Sequence, residues 1–300
     1  MRVLNLYNRD KSDIKYDIIK FSDSQILINL WNKYEEFGFE FSEKESIKIC
    51  SRMSWGDLQY IIVAANALRK HGVKKIHLYV PYFLGARSDR AFQKKGVNYL
   101  KDVIAPIINS LNLESVTVLD PHSSGLENCI NNFIGISNKD FVDIVLNQIE
   151  SEFKIKKESL IWIIPDKGAT DKAEAIIKEL YSKTFPQTIQ CLKKRNIETG
   201  KLEGYTIVGN PIFEGEPCII VDDICDGGAT FIQIATDLKK RGAGDLFLVT
   251  THAILSKDVF PLIPFFKRYY CTNSFKDKDH VNSADLILRN FVKEINAFPE

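Results

Sequence analysis

The chain has 300 residues, 45% of them hydrophobic, with 40 basic and 39 acidic side chains and a net charge of +1. That balance gives no electrostatic footing for a nucleic-acid or membrane-surface partner, and no apolar run reaches bilayer-spanning length. The length suits one large domain or two of ordinary size, with the composition of a soluble globular protein.

The first residues, MRVLNLYNRDKSD, lack the apolar stretch of a secretory signal. Short β-branched runs then alternate with amphipathic segments of helical length. Strands are expected at Arg2–Tyr7, Gln25–Leu30, Ser46–Ser51, Lys75–Val80 and Ser115–Leu119, then at Leu160–Pro165, Thr188–Leu192, Cys218–Val221 and Leu246–Thr250. Helices are expected at Asp57–His71, Asn98–Leu111, Asp140–Ile149, Asp171–Leu180 and Thr230–Arg241, several closed by a glycine stop as in RKHG and KKRG. This alternation predicts mainly parallel sheets flanked by helices.

The grammar runs twice. HGVKKIHLYVPY and RGAGDLFLVTTHA both pass from a basic helix end through glycine into a buried strand. The reading is therefore two similar α/β domains, 1–145 and 146–283, with 284–300 a C-terminal helix packed on the first. The six cysteines (50, 129, 191, 218, 225 and 271) form no CxxC pair and no Cys/His cluster. They read as mostly buried free thiols in a reducing, cytoplasmic compartment.

Five stretches carry chemistry. In CIIVDDICDGGATF (218–231) a strand runs into three acids, Asp222, Asp223 and Asp226, and then into the small turn Gly227, Gly228, Ala229, Thr230 before a helix. Backbone N–H groups at such a turn suit a phosphate, whereas the acids suit vicinal hydroxyls or a hydrated divalent cation. A sugar phosphate satisfies both ends. In VPYFLGARSDRAF (80–92), Arg87, Asp89 and Arg90 follow a strand, and two guanidiniums there can grip a polyphosphate bidentately. VLDPHSSG (118–125) places His122 after a strand, as a metal ligand or a turn cap. IIPDKGATDKAEAI (163–176) places Asp166 at another strand end, and CLKKRNIETGKLEG (191–204) is basic and turn-rich. Each stretch has a plainer reading as a helix cap, a surface ion-pair cluster or a solvated charge run.

The acidic loop resembles the phosphoribosyl pyrophosphate (PRPP) loop shared by phosphoribosyltransferases and ribose-phosphate pyrophosphokinase. The other motifs discriminate between the two. FSDSQ (21–25) is similar to a synthetase FSDGE segment that reaches the adenine of ATP across a subunit interface. ARSDR is similar to ARQDR, DPHS to the segment whose histidine reaches the Mg-nucleotide, and PDKGA to the element whose aspartate joins the metal site. KKR at 193–195 falls on a Lys-Arg loop over the transferred pyrophosphate, and THAIL and CTNSF match late segments around the sugar-phosphate site. These run in family order over nearly the whole chain, with departures at Ser24, Gln25, Ser88, Lys167 and Asn196.

The resemblance implies transfer of the diphosphoryl group of ATP to the anomeric hydroxyl of ribose 5-phosphate, giving PRPP and AMP. Lys194 and Arg195 would stabilise the transferred group. Asp23, Gln25 and Arg87, with Asp89 and Arg90, would hold ATP, and His122 and Asp166 would position Mg2+. Asp222, Asp223 and Asp226 would take the ribose hydroxyls, and Gly227–Thr230 the 5-phosphate. A homo-oligomer, dimer or hexamer, is implied, with no nucleic-acid or membrane partner. Three alternatives stay open: a phosphoribosyltransferase that consumes PRPP, a non-catalytic synthetase-like regulatory subunit, and a PRPP-sensing nucleic-acid regulator.

Overall fold

The computed structural model describes residues 1–31, 41, 44–88, 96–195, 202–277 and 291–298. The chain divides into two compact units, Met1–Ile136 joined by the residues from Ala297 on, and Ser137–Asn296.

In the first unit, β1 (Arg2–Asn5) is followed by a hairpin of β2 (Lys15–Lys20) and β3 (Ile26–Trp31), paired antiparallel with Ile19 opposite Leu27. Then come β4 (Ser46–Cys50), α1 (Trp55–Lys70), β5 (Lys75–Tyr79), α2 (Ala105–Ser110), β6 (Ser115–Leu119) and β7 (Phe133–Ile136). The five-stranded sheet has the order β1-β4-β5-β6-β7, every pair parallel. Helix α1 starts on a capping box: the Ser54 hydroxyl accepts from the Asp57 N–H while the Asp57 carboxylate accepts from the Ser54 N–H. It buries Leu58, Ile61, Ala64, Ala65 and Leu68 at helical spacing. The chain's end returns to this unit, with Phe298 stacked on Tyr7 (centroids 4.0 Å apart) and the Tyr79 hydroxyl donating to the Ala297 carbonyl.

The second unit contains α3 (Lys139–Phe153), β8 (Ile161–Ile164), α4 (Thr170–Leu180), β9 (Thr188–Arg195), β10 (Leu202–Ile207), β11 (Cys218–Cys225), α5 (Ala229–Lys240), β12 (Leu246–Ala253), β13 (Arg268–Thr272) and β14 (Val292–Ile295). The sheet order is β10-β9-β8-β11-β12-β13-β14, parallel except for β9 with β10. Alternate residues of the central strands face two cores. Ile220, Leu248 and Tyr269 pack with Phe231 and Ile234 of α5, whereas Ile219, Val249 and Tyr270 pack with Val145 of α3 and Ile176 of α4. Continuous burial on both faces is what a covered parallel sheet requires.

Three expectations change. A boundary at 145 would cut α3, whose Phe141, Val142, Val145, Leu146 and Ile149 are all buried against the second unit's sheet; the division falls at Ile136/Ser137. Where the helix was expected over 284–300, Val292–Ile295 is a strand that adds to the edge at β13; residues 284–290 and 299–300 lie outside the described residues. Strand β11 runs four residues past Val221, with Asp222 paired to Thr250 and Ile224 to His252. Asp222 and Asp223 thus sit on a strand end rather than in a loop. All six cysteines are free, and only Cys129 is not fully buried. No helix of the described residues is long and apolar enough to cross a membrane.

Candidate active site

The carboxyl ends of parallel strands are where an open α/β sheet receives ligands, and in the second unit that edge gathers most of the sequence-predicted residues. Strand β11 delivers Asp222 and Asp223 one after the other near its carboxyl end. The Asp223 N–H donates to Asp222 Oδ1 at 2.9 Å. Lys172, on α4, places its Nζ 3.7 Å from Asp223 Oδ2. Burial raises the Asp222 pKa well above the ordinary carboxylate value; repulsion from Asp223 adds to the rise, the Asp223 N–H opposes it, and the Asp166 charge contributes a smaller upward push. The acids therefore repel one another and gain from a partner that donates hydrogen bonds.

Beyond Cys225 and Asp226 the chain turns through Gly227 and Gly228 into α5. Gly228 has φ +74°, and a Cβ there would lie 3.0 Å from Leu262 Cδ2, so both conformation and space call for glycine. Helix α5 has no side-chain cap; its first recurring bond is Ile232 N–H to the Gly228 carbonyl, which leaves the N–H groups ahead of it directed out of the helix end. The Lys257 side chain lies over Gly227, within 3.4 Å of where a Cβ would stand. The Thr230 hydroxyl accepts a hydrogen bond from the Tyr205 hydroxyl of β10 at 2.8 Å. One end of this edge is anionic, and the other offers donors and a lysine to an anion.

Asp166 follows β8 on the same edge. Its Oδ1 accepts from the N–H groups of Gly168 (2.8 Å) and Ala169 (3.2 Å), capping a short turn that opens α4. The late motifs interlock beneath. His252 Nδ1 meets Ser274 Oγ at 2.8 Å, Thr272 Oγ1 donates to the Thr251 carbonyl at 2.6 Å, and Asn138 Nδ2 donates to Thr251 Oγ1 at 2.9 Å, all buried. These residues brace β12 and β13 where the strands end. Burial pushes the Cys225 thiol up to about 12, so it stays neutral among the acids. A cavity of about 400 Å³ beside α4 is lined by Thr170, Glu174, Thr188, Gln190 and Pro211 among others, and by none of Asp166, Asp222, Asp223 and Asp226.

The first unit carries the remaining predicted residues. Asp23 and Gln25 sit exposed at the tip of the β2–β3 hairpin, where Asp23 accepts from both the Gln25 N–H (3.3 Å) and Gln25 Nε2 (2.9 Å). Ser24 between them has φ +72°, a conformation natural to the glycine of the FSDGE pattern. Arg87 and His122 are exposed in the turns after β5 and β6, neighbouring parallel strands. Asp89 and Arg90 lie outside the described residues. Lys194 and Arg195 close β9, with Lys194 opposite Gly204 and Arg195 opposite Leu202; nothing is described of their side chains. His122 and Asp166 belong to different units, and among the described residues no three His, Cys, Asp or Glu side chains gather to hold a metal ion. Magnesium often takes only one or two carboxylates and substrate phosphates, a smaller set that Asp166 alone, or Asp222 with Asp223, could supply. Sequence reasoning missed Lys172, which lies within the 163–176 stretch but was given no role, and Tyr205 and Lys257, which reach the edge by tertiary packing without any motif of their own.

The phosphoribosyl synthetase-associated domain profile matches residues 195–264, the span from the Lys-Arg strand end through the acids and α5. A ribose-phosphate pyrophosphokinase of Cereibacter sphaeroides is 28% identical over 237 residues, 79% of this chain and 66% of its own length. One from Mycoplasmopsis pulmonis is 30% identical over 217 residues, 71% of this chain and 64% of its own. The chain thus spans about two thirds of these curated relatives. The crystal structure of phosphoribosylpyrophosphate synthetase from Mycobacterium smegmatis superposes with a TM-score of 0.73 at 16% identity, over 96% of this chain and 88% of that one, and so shares its fold. Its sequence relatives and its fold make this chain similar to the ribose-phosphate pyrophosphokinases.

Proposed function

We propose that the chain is a working ribose-phosphate diphosphokinase. The anomeric hydroxyl of ribose 5-phosphate attacks the β-phosphorus of ATP, the bond between the α-phosphate and the β-phosphorus breaks, and AMP leaves with PRPP formed. The observation that carries this reading is the continuous strand–turn–helix from Asp222 to Thr230: half-buried, mutually repelling acids at one end and a glycine turn with uncapped helix N–H groups at the other. That polarity fits a sugar bearing hydroxyls and a terminal phosphate.

In this reading Asp222, Asp223 and Asp226 accept the ribose hydroxyls, and the turn Gly227, Gly228, Ala229, Thr230 receives the 5-phosphate. Arg87, with Asp89 and Arg90, grips the triphosphate, and Asp23 and Gln25 reach the adenine, across a subunit contact in a homo-oligomer. Lys194 and Arg195 neutralise charge building on the transferred group, so that alignment and charge stabilisation supply the rate. Asp166 would hold Mg2+ at the second unit's strand edge, where the ion would neutralise charge on the phosphates, and His122 is the first-unit residue that the family resemblance assigns to the Mg-nucleotide. The working compartment is the cytoplasm.

The test is incubation with ATP, Mg2+ and ribose 5-phosphate while AMP is followed. AMP that appears only with the sugar supports the reading. No AMP across metal and phosphate conditions overturns it in favour of the non-catalytic homologue, and sugar-independent turnover of PRPP with a base would make it a phosphoribosyltransferase.

A further inference from the structure

We infer that Tyr205 is a positioning residue of the phosphate turn, acting through the Thr230 hydroxyl on the 5-phosphate of the sugar. This rests on reading the Asp222–Thr230 segment as a ribose 5-phosphate site. Tyr205 comes from β10, outside the loop, yet its phenolic hydroxyl donates to Thr230 Oγ1 at 2.8 Å. Its ring is part-buried against the core under α5, so the hydroxyl is held in place by packing.

A threonine hydroxyl has one proton and two lone pairs. With a lone pair engaged by Tyr205, the Thr230 proton is left to turn toward an anion at the helix end. The habit of threonine inside a helix is different: Thr236, six residues on in α5, donates to the Ile232 carbonyl at 2.7 Å. Thr230 is the second residue of α5, so the residue four positions back, Asp226, lies outside the helix and Thr230 has no intrahelical carbonyl for that habit. The Tyr205–Thr230 contact joins two parts of the site, since Tyr205 pairs across the ladder with Lys193 and its neighbour Gly204 with Lys194. One side chain therefore ties the main chain that carries Lys194 to the turn that receives the phosphate.

The test is calorimetric titration of the full chain with ribose 5-phosphate and, separately, with ribose. Tyr205→Phe is expected to weaken ribose 5-phosphate binding about five- to tenfold, leave ribose binding unchanged, and raise KM with kcat within about twofold. The loss is expected to persist in a Thr230→Ser background, which keeps the hydroxyl, and to vanish in a Thr230→Val background. Equal weakening of both sugars, or a loss that survives Thr230→Val, overturns the inference. Wild-type binding of ribose 5-phosphate without AMP formation would sink the diphosphokinase reading while leaving Tyr205 standing; no wild-type binding of the phosphate sugar overturns both.

Discussion

Lys172 Nζ stands 3.7 Å from Asp223 Oδ2, from a helix that opens two residues earlier beside the Asp166 turn. The Asp223 carboxylate is 11% exposed and the lysine 39%, so the pair lies at the rim. A cation there offsets the repulsion that crowds Asp222 and Asp223. Lys172→Met should raise KM for ribose 5-phosphate by up to about fivefold, the value of roughly 1 kcal/mol for a partly exposed pair. It should also move the acid limb of the pH–activity profile upward, because the paired acids lose the cation beside Asp223. An unchanged KM together with an unmoved acid limb would remove Lys172 from the site.

Asp222 is costly to the folded chain. Burial and Asp223 raise its folded pKa above the unfolded carboxylate value. Between those two values the folded state binds the extra proton, so stability falls as pH rises through the raised value and is recovered below the unfolded one. Asp222→Asn removes that cost. We predict a Tm at pH 8 about 2 °C or more above wild type, a difference that shrinks toward pH 4, and a loss of at least about tenfold in kcat/KM for ribose 5-phosphate. Thermal melts at the two pH values check the sign; a lower Tm at pH 8 would contradict it.

The acids and glycines of 222–230 were legible because each residue type there performs a local chemical task. Less legible was how far β11 extends. Two consecutive aspartates argue against a strand, yet pairing with β12 from Cys218 to Cys225 carries the ladder through them. The same holds for Val292–Ile295, whose VKEI sequence suits a helix but which is recruited as an edge strand by Tyr269–Thr272. Tyr205 was invisible for a different reason: it meets Thr230 across 25 positions of sequence, and no periodicity or motif encodes such a contact. Local rules read the turn, and long-range packing decides what touches it.

Gly227 and Gly228 look alike in sequence and differ in structure. A Cβ on Gly227 meets only the flexible Lys257 chain at 3.4 Å, whereas Gly228 combines φ +74° with a 3.0 Å approach to Leu262. Gly227→Ala should stay within about 0.5 kcal/mol of wild type, and Gly228→Ala should lose at least about 1 kcal/mol from the left-handed conformation alone. Denaturant midpoints read from the second unit decide this; equal effects would refute the distinction.

Ser24 holds φ +72° between Asp23 and Gln25. Ser24→Gly should relieve that conformation and stabilise the hairpin by about 0.5–1 kcal/mol after the extra entropy that glycine loses on folding. Hydrogen exchange at the paired amides of Lys15–Lys20 and Ile26–Trp31 is expected to slow. Faster exchange would show that the serine side chain contributes more than its backbone costs.

Lys194 tests the chemistry itself. It lies one residue from the end of β9, opposite Gly204 and so one residue from Tyr205, and in the proposed reaction it stabilises charge on the group in flight, with little share in holding the sugar. Removing such a group should therefore lower kcat and spare the binding of ribose 5-phosphate. We predict that Lys194→Ala reduces turnover at least about a hundredfold, in line with losses seen when one preorganised charge partner is removed. The calorimetric affinity for ribose 5-phosphate should stay near wild type. A variant that binds the sugar normally and turns over at the wild-type rate would take Lys194 out of the mechanism. One that loses sugar binding in proportion to rate would make it a ground-state contact instead.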